Sequence, residues 1–234
     1  MPRFLFVWSR TGRLTCPRLG VRRTTQIVNE MLKGKTIYLR MLEPEDYELT
    51  HQWHTDYNIQ KMTCGQFRFV SKAIERNWAQ AKATNNARDI YLAICAYDND
   101  KMIGYISINE IDYIHRSCHC GGVVVGDKQY RNMTEYVEAV SLVHDYVFNH
   151  LNMNRISGGC LVEHRMSRAE MEGFFYDLEG IEREAIFKEG RYHDKRNYAL
   201  MAKTYFEHAA KGDYEIEATI SRIAKNVKQM KYQK

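Results

Sequence analysis

Residues 90–125 carry three strand-period segments in succession with no helical segment between them. Residues 90–97 (IYLAICAY) and 102–111 (MIGYISINEI) are rich in β-branched and aromatic side chains. The Asp98-Asn99-Asp100 stretch between them tolerates unusual backbone angles, so the pair reads as a hairpin. Residues 117–125 (SCHCGGVVV) supply the third strand. Strands this close in sequence pair antiparallel, because a parallel partner needs a crossover of a dozen or more residues. That argues for α+β and against a doubly wound sheet.

The flanking segments fit the same class. Residues 36–42 (TIYLRML) alternate as a first strand, and Pro44 opens a helix to about Thr55, with Glu45 and Asp46 in its first turn. Ser71 is the expected N-cap of a second helix reaching about Asn85. A long helix is expected over 134–151, where Val137, Val140, Val143, Val147 and Leu151 recur at helical spacing. Then come a strand over 154–162, a short helix over 167–174, and strands over 181–187 and 198–205 joined through a turn at Gly190. Asp213 is the expected cap of a last helix, whose Ile216, Ile220, Ile223, Val227 and Met230 form an apolar seam. Docking on its own domain is the first reading of that seam, and a homodimer contact is the alternative.

Charge is unevenly placed. The 234 residues include 34 Lys and Arg and 29 Asp and Glu. Arg3, Arg10, Arg13, Arg18, Arg22 and Arg23 lie before Met31 with Glu30 as the one acid, which leaves the body neutral. Such a body has no overall basicity to recommend nucleic acid as a partner. With no apolar run near the roughly 20 residues of a membrane span, no membrane partner is expected either. Residues 1–34 read as a basic extension outside the fold, 35–206 as the domain, and 207–234 as an amphipathic helical extension. The leader has three readings: residues upstream of a natural start at Met31, an organellar transit peptide, or a basic arm. A cytoplasmic location is expected, or an organellar one if the leader is a transit peptide.

Six cysteines, Cys16, Cys64, Cys95, Cys118, Cys120 and Cys160, show neither a C-x-x-C pair nor a disulfide framework, so reduced thiols are expected. Cys118-His119-Cys120 does not predict a metal site. Strand alternation sends the thiols to one face and the imidazole to the other, and no second ligand pair stands at the usual spacing.

Several stretches resemble the GNAT superfamily of acyl-CoA-dependent N-acetyltransferases, in particular its protein N-terminal, polyamine and amino-sugar acetyltransferase branch. Thr36-Ile37-Tyr38-Leu39-Arg40 with Leu42-Glu43-Pro44-Glu45-Asp46 resembles the branch's opening I-x-L-R-x-L-x-x-x-D. Glu138-Ala139 and residues 146–156 are similar to its long helix and following strand, and residues 179–184 and 190–194 to its closing hairpin. The resemblance covers residues 35–206. It implies a mixed, mainly antiparallel central sheet flanked by helices, here with an extra C-terminal helix, and acetyl-CoA as cosubstrate with no metal.

In that family a loop of the form Arg/Gln-x-x-Gly-x-Gly/Ala holds the cofactor diphosphate. Here it reads Arg131-Asn132-Met133-Thr134-Glu135-Tyr136, so Arg131 matches while Thr134 and Tyr136 replace small residues. The chemistry needs backbone N–H groups at a helix N-terminus to face an anion closely, and a side chain obstructs that approach. The family's pantetheine-holding Asn is His164 here, Ser167 matches, the Gly-Phe closing the next helix reads Phe175-Tyr176, and the Tyr that protonates CoA thiolate aligns with Met171. The strand containing Val123, Val124 and Val125 is implied to pair with pantetheine and to offer the oxyanion an N–H.

Amine attack on a thioester also needs a base, since an alkyl ammonium has a pKa near 10. Glu110, at the end of the second strand signal, and His119, on the third, are the catalytic candidates. His51, Trp53, His54 and Tyr57 stand where family members build the acceptor cleft, although packing on the core is their first reading. The implied function is acetyl transfer to a primary amine on a small molecule or a protein N-terminus. A GNAT-fold binding protein with little or no catalysis is the alternative.

Overall fold

The computed structural model describes residues 32–230. One eight-stranded sheet runs through the protein, formed by β1 (Leu32–Lys33), β2 (Ile37–Met41), β3 (Ile90–Ala96), β4 (Lys101–Asp112), β5 (Ser117–Val125), β6 (Arg155–Leu161), β7 (Asp177–Lys188) and β8 (Arg191–Met201). Its order is β1-β2-β3-β4-β5-β6-β8-β7. Every neighbouring pair is antiparallel except β5 and β6, whose parallel pairing is confined to Ser117, Cys118 and His119 against Arg155, Ile156 and Ser157.

Alternation along the strands divides the core in two. Ile37, Leu39, Leu92, Ile94, Ile106 and Ile108 pack on the side that receives α4 (Thr134–Asp145), α5 (Arg165–Gly173), α6 (Ala202–Ala209) and α7 (Ile216–Met230). Tyr38, Leu42, Ala93, Cys95, Tyr105 and Val124 face Trp53 of α1 (Tyr47–Thr55) and Trp78 of α3 (Lys72–Thr84). A short α2 (Tyr57–Gln60) follows α1. The α+β sheet expected from the sequence is present.

Local differences have identifiable causes. Among the described residues the sheet begins at Leu32, upstream of residue 35, because Leu32 and Lys33 pair with Leu39 and Tyr38. Pro44–Asp46 is a 3-10 turn, and the α-helix proper starts at Tyr47. Asp46 spends its carboxylate on both Arg40 guanidinium nitrogens, at 2.7 and 2.8 Å, and on the Glu43 N–H. The long helix widens into a π turn over Tyr146–His150 before β6. The short helix starts at Arg165, two residues early, and β7 starts at Asp177.

The strand expected over 198–205 ends at Met201. Ala202, Tyr205, Phe206 and Ala209 instead fall on one helical face, and Tyr205 stacks on Phe148 at 4.6 Å. Asp213 does not cap α7. Its side chain holds His208 Nδ1 at 2.7 Å, while its carbonyl accepts Arg222 at 2.9 Å. The α7 seam faces the protein's own core, with Ile223 and Met230 buried. That removes this seam as the surface for a homodimer.

Candidate active site

Beyond His119 and Ser157 the parallel pair separates. β5 stays paired with β4 as far as Val125, and β6 stays paired with β8 as far as Leu161. The gap between them opens into a cleft of about 670 Å³. Main-chain groups of β5 along this gap have no strand partner, so they need another one. Gly122, at φ +73°, forms a bulge opposite Ile106 that aims this edge, and a side chain in that left-handed conformation is strained.

Most expected residues line the cleft. Val123, Val124 and Val125 form one wall, and His119 lies deeper, its Nδ1 3.2 Å from Ser157 Oγ. Burial lowers the His119 pKa, and the charge of Glu110 opposes that shift. His164 and Ser167 line the opposite wall as a unit, since His164 Nδ1 accepts the Ser167 N–H at 3.1 Å and so caps α5. Burial depresses the His164 pKa and keeps the ring neutral enough to accept that bond.

Glu110 is not brought to the cleft. Irregular register between Asn109 and Asp112 leaves it exposed at φ +55°, with its N–H bound to Asp89. Met171 sits in the fork, where a Cβ on Gly158 would lie 2.8 Å from its terminal methyl, so no ionisable group occupies that spot.

The loop entering α4 is only partly fitted to an anion. Arg131 lines the cleft, but its guanidinium is turned onto the Val125 and Gly126 carbonyls at 3.0 and 2.8 Å. Asn132 caps the Thr134 N–H at 3.0 Å, and Met133 makes the left-handed turn into the helix at φ +77°. Glu135 is buried off the cleft with one carboxylate oxygen unpartnered. Tyr136 lines the cleft and donates to Glu170 Oε2 at 3.0 Å. The free β5 edge therefore suits an amide-bearing arm, while diphosphate would rely on Arg131 and whichever helix N–H groups remain.

A second cavity of about 310 Å³ adjoins this cleft on the α1–α3 side. Trp78, Tyr91 and Tyr105 line it, as do Ser107, Asn109 and His119. His54, Tyr105 and His119 border both spaces. His54 Nδ1 is 2.8 Å from Glu75 Oε1, and its Nε2 is 2.9 Å from Tyr105 Oη. Thr50 Oγ1 donates to the same Glu75 oxygen at 2.6 Å.

Sequence reasoning missed Glu75 and Tyr105. One signal was present: Glu75 shares the inward face of α3 with Ala79, an unusual place for an acid without a partner. Of the other acceptor candidates, Trp53 is buried in the core, His51 bonds the Val70 carbonyl at 2.8 Å, and exposed Tyr57 bonds Glu189. Among the described residues no group of three His, Cys, Asp or Glu side chains could hold a metal ion, and no helix is long and apolar enough to cross a membrane.

Known proteins converge on the same reading. "Probable N-acetyltransferase YjcK" of Bacillus subtilis is 26% identical over 176 residues, spanning 73% of this chain and 97% of its own. Spermidine N-acetyltransferase from Vibrio cholerae, solved with CoA and spermine, superposes with a TM-score of 0.67 at 22% identity over 73% of this chain and 98% of that one. A GCN5-related N-acetyltransferase from Brucella melitensis gives 0.64 at 18% identity over 80% and 86%. The sequence family described as "Acetyltransferase (GNAT) domain" matches residues 36–174, and the chain belongs to that family of N-acetyltransferases.

Proposed function

We propose that this N-acetyltransferase binds acetyl-CoA in the cleft between β5 and β6 and acetylates a primary amine that enters from the α1–α3 side. The observation that carries the reading is the early end of the parallel pairing, which leaves the β5 edge of a large cleft without a partner. When bound, acetyl-CoA supplies an acetyl group activated as a thioester. Val123, Val124 and Val125 offer main-chain donors and acceptors to the arm, and one N–H to the developing oxyanion. Arg131 supplies positive charge, Asn132 to Tyr136 form the loop around it, and the His164–Ser167 cap supports the far wall.

His119 lies on the wall shared by the two spaces, whereas Glu110 is exposed away from them. The neighbour solved with spermine favours an amine-bearing small molecule over a protein N-terminus. Five free thiols among the described residues support a cytoplasmic location.

Calorimetry with acetyl-CoA, followed by thiol release across polyamines, amino sugars and peptide α-amines, tests the proposal. Saturable binding with release for at least one amine is expected. No binding by the folded protein would return the reading to a GNAT-fold protein without catalysis.

A further inference from the structure

The 310 Å³ cavity brings His54 and His119 together with Trp78, Tyr91 and Tyr105, to which the family resemblance gives no role. Three aromatic side chains, Trp78, Tyr91 and Tyr105, surround a space whose polar side chains include His54, Ser107, Asn109 and His119. Behind Tyr105 lies the continuous array Tyr105 Oη, His54 Nε2, His54 Nδ1 and Glu75 Oε1, with links of 2.9 and 2.8 Å. Tyr105 is only 6% exposed and Glu75 2% exposed, so the array opens where Tyr105 and His54 border this cavity and the adjoining cleft. We propose that the Tyr105–His54–Glu75 array is the proton acceptor for a cationic alkylamine held in this aromatic cavity. The proposal rests on the acetyl-transfer reading above.

The chemistry fixes the direction of each bond. Burial raises the Glu75 pKa, but hydrogen bonds from His54 and Thr50 outweigh it and leave the carboxyl below its ordinary range. An ionised Glu75 accepts only, so His54 Nδ1 carries the hydrogen and Nε2 is left to accept from the Tyr105 hydroxyl. Tyr105 Oη keeps lone-pair capacity to accept a further hydrogen, and Tyr105 lines the cavity. Burial raises the Tyr105 pKa, so the phenol relays a proton in preference to holding a charge.

In the proposed step the substrate N–H bond breaks and its proton joins Tyr105 Oη while the phenolic proton moves to His54 Nε2. The products are a neutral amine and an imidazolium paired with Glu75. The electron pair stays on the amine nitrogen, ready for acetyl transfer, and the imidazolium later returns its proton to solvent. The aromatic walls suit the ammonium before it reacts, since cations are attracted to ring faces. Tyr105 is the catalytic residue that touches substrate, His54 takes the proton, and Glu75 is a positioning residue.

Other charged groups nearby do not replace this array. Lys82 lies 4.8 Å from the centre of the Tyr91 ring and is paired with Asp89 at 2.9 Å. His51 is engaged with Val70, and His119 with Ser157.

The test uses the whole protein in two arms. Without acetyl-CoA, butylammonium and spermidine are titrated while tryptophan fluorescence and the His54 ring NMR signals are followed, with butanol as the neutral isostere. Both amines should perturb Trp78 and His54, and butanol should bind at least about tenfold more weakly. With acetyl-CoA saturating, Tyr105→Phe and His54→Gln should lower kcat/KM by about a hundredfold or more. Both variants should stay folded at the assay temperature, and their acetyl-CoA affinity should stay close to wild type. Glu75→Gln removes the carboxylate that stabilises the imidazolium, so it should move the ascending limb of the kcat/KM pH profile to lower pH, a change that a purely structural loss would not produce.

Failure of both amines to perturb either signal overturns the proposal. So does a kcat/KM for Tyr105→Phe and His54→Gln within threefold of wild type while His119→Gln abolishes turnover. If the wild type releases no thiol with any amine, the transfer reading fails. The binding arm then decides the amine site alone, with response supporting it and silence overturning it.

Discussion

The Tyr136 hydroxyl donates a 3.0 Å hydrogen bond to Glu170 Oε2, joining the first turn of α4 to α5 across the cleft. Tyr136 stands where the family pattern has a small residue, and it fills that space with a polar contact rather than a void. Burial pushes the Glu170 carboxyl up to about 7, although Tyr136 and Ser167 pull the other way.

That shift predicts a pH-dependent stability. Below the ordinary carboxylate pKa, Glu170 is protonated in both folded and unfolded chains and costs nothing. As pH rises from about 4.5 to 7 the unfolded chain releases the proton first, so stability falls and then levels off above the folded value. Glu170→Gln removes this dependence and should gain on the order of 3 kcal/mol on wild type between the ends of that window. Tyr136→Phe removes a lowering influence and should extend the window upward. Urea unfolding at pH 4.5, 6 and 7.5 reads both effects, and parallel stabilities at every pH would sink the assignment.

The sequence of elements along the chain, the β3–β4 hairpin, the capped α3 and the apolar stripe of α4 were legible because each rests on local signals. Ser71 accepts the Ile74 N–H at 3.3 Å, as its place before an apolar run implied. Residues 202–205 read as strand because Tyr favours strands, and only stacking on Phe148 shows that a helix buries Tyr205. The array of Glu75, His54 and Tyr105 was illegible for another reason: α3, α1 and β4 meet only in three dimensions.

Phe175 shows how a departure from the family pattern is accommodated. It keeps the left-handed conformation that a glycine adopts freely, at φ +63°. Its ring stacks on His208 at 3.6 Å and under Arg222 at 4.1 Å. Phe175→Gly relieves backbone strain of about 1 kcal/mol but forfeits burial and stacking of about 2–3 kcal/mol. A net loss near 1–2 kcal/mol is expected by thermal unfolding, and a gain in stability would contradict it.

Arg131 should be required for acetyl-CoA binding twice over. It carries the positive charge of the loop, and its bonds to Val125 and Gly126 tie that loop to the end of β5. Charge-assisted hydrogen bonds contribute about 1.5–3 kcal/mol, so Arg131→Ala should weaken binding roughly ten- to over a hundredfold. Arg131→Lys should recover only part of that, because an ammonium cannot reproduce the fork that spans two carbonyls. Calorimetry on both variants reads the result, and unchanged affinity in Arg131→Ala removes this anchor.

Residues 32–37 should mark the N-terminal limit of the domain. Glu138, buried on α4, accepts the main-chain N–H groups of Lys35, Thr36 and Ile37 together with the Thr36 hydroxyl at 2.6 Å. A carboxylate this enclosed depends on those donors, since each charge-assisted bond lost costs about 1.5–3 kcal/mol. A protein beginning at Met31 retains all of them as well as β1, so it should match the full chain in urea midpoint and acetyl-CoA affinity. One beginning at Ile37 loses β1 and three of the four donors, and it should lose more than about 3 kcal/mol. Glu138→Ala in the full chain should approach the same loss without shortening it. Equal stability of the two shortened proteins would mean that Glu138 contributes nothing at this edge, and loss of folding from the Met31 start would place part of the basic leader inside the domain.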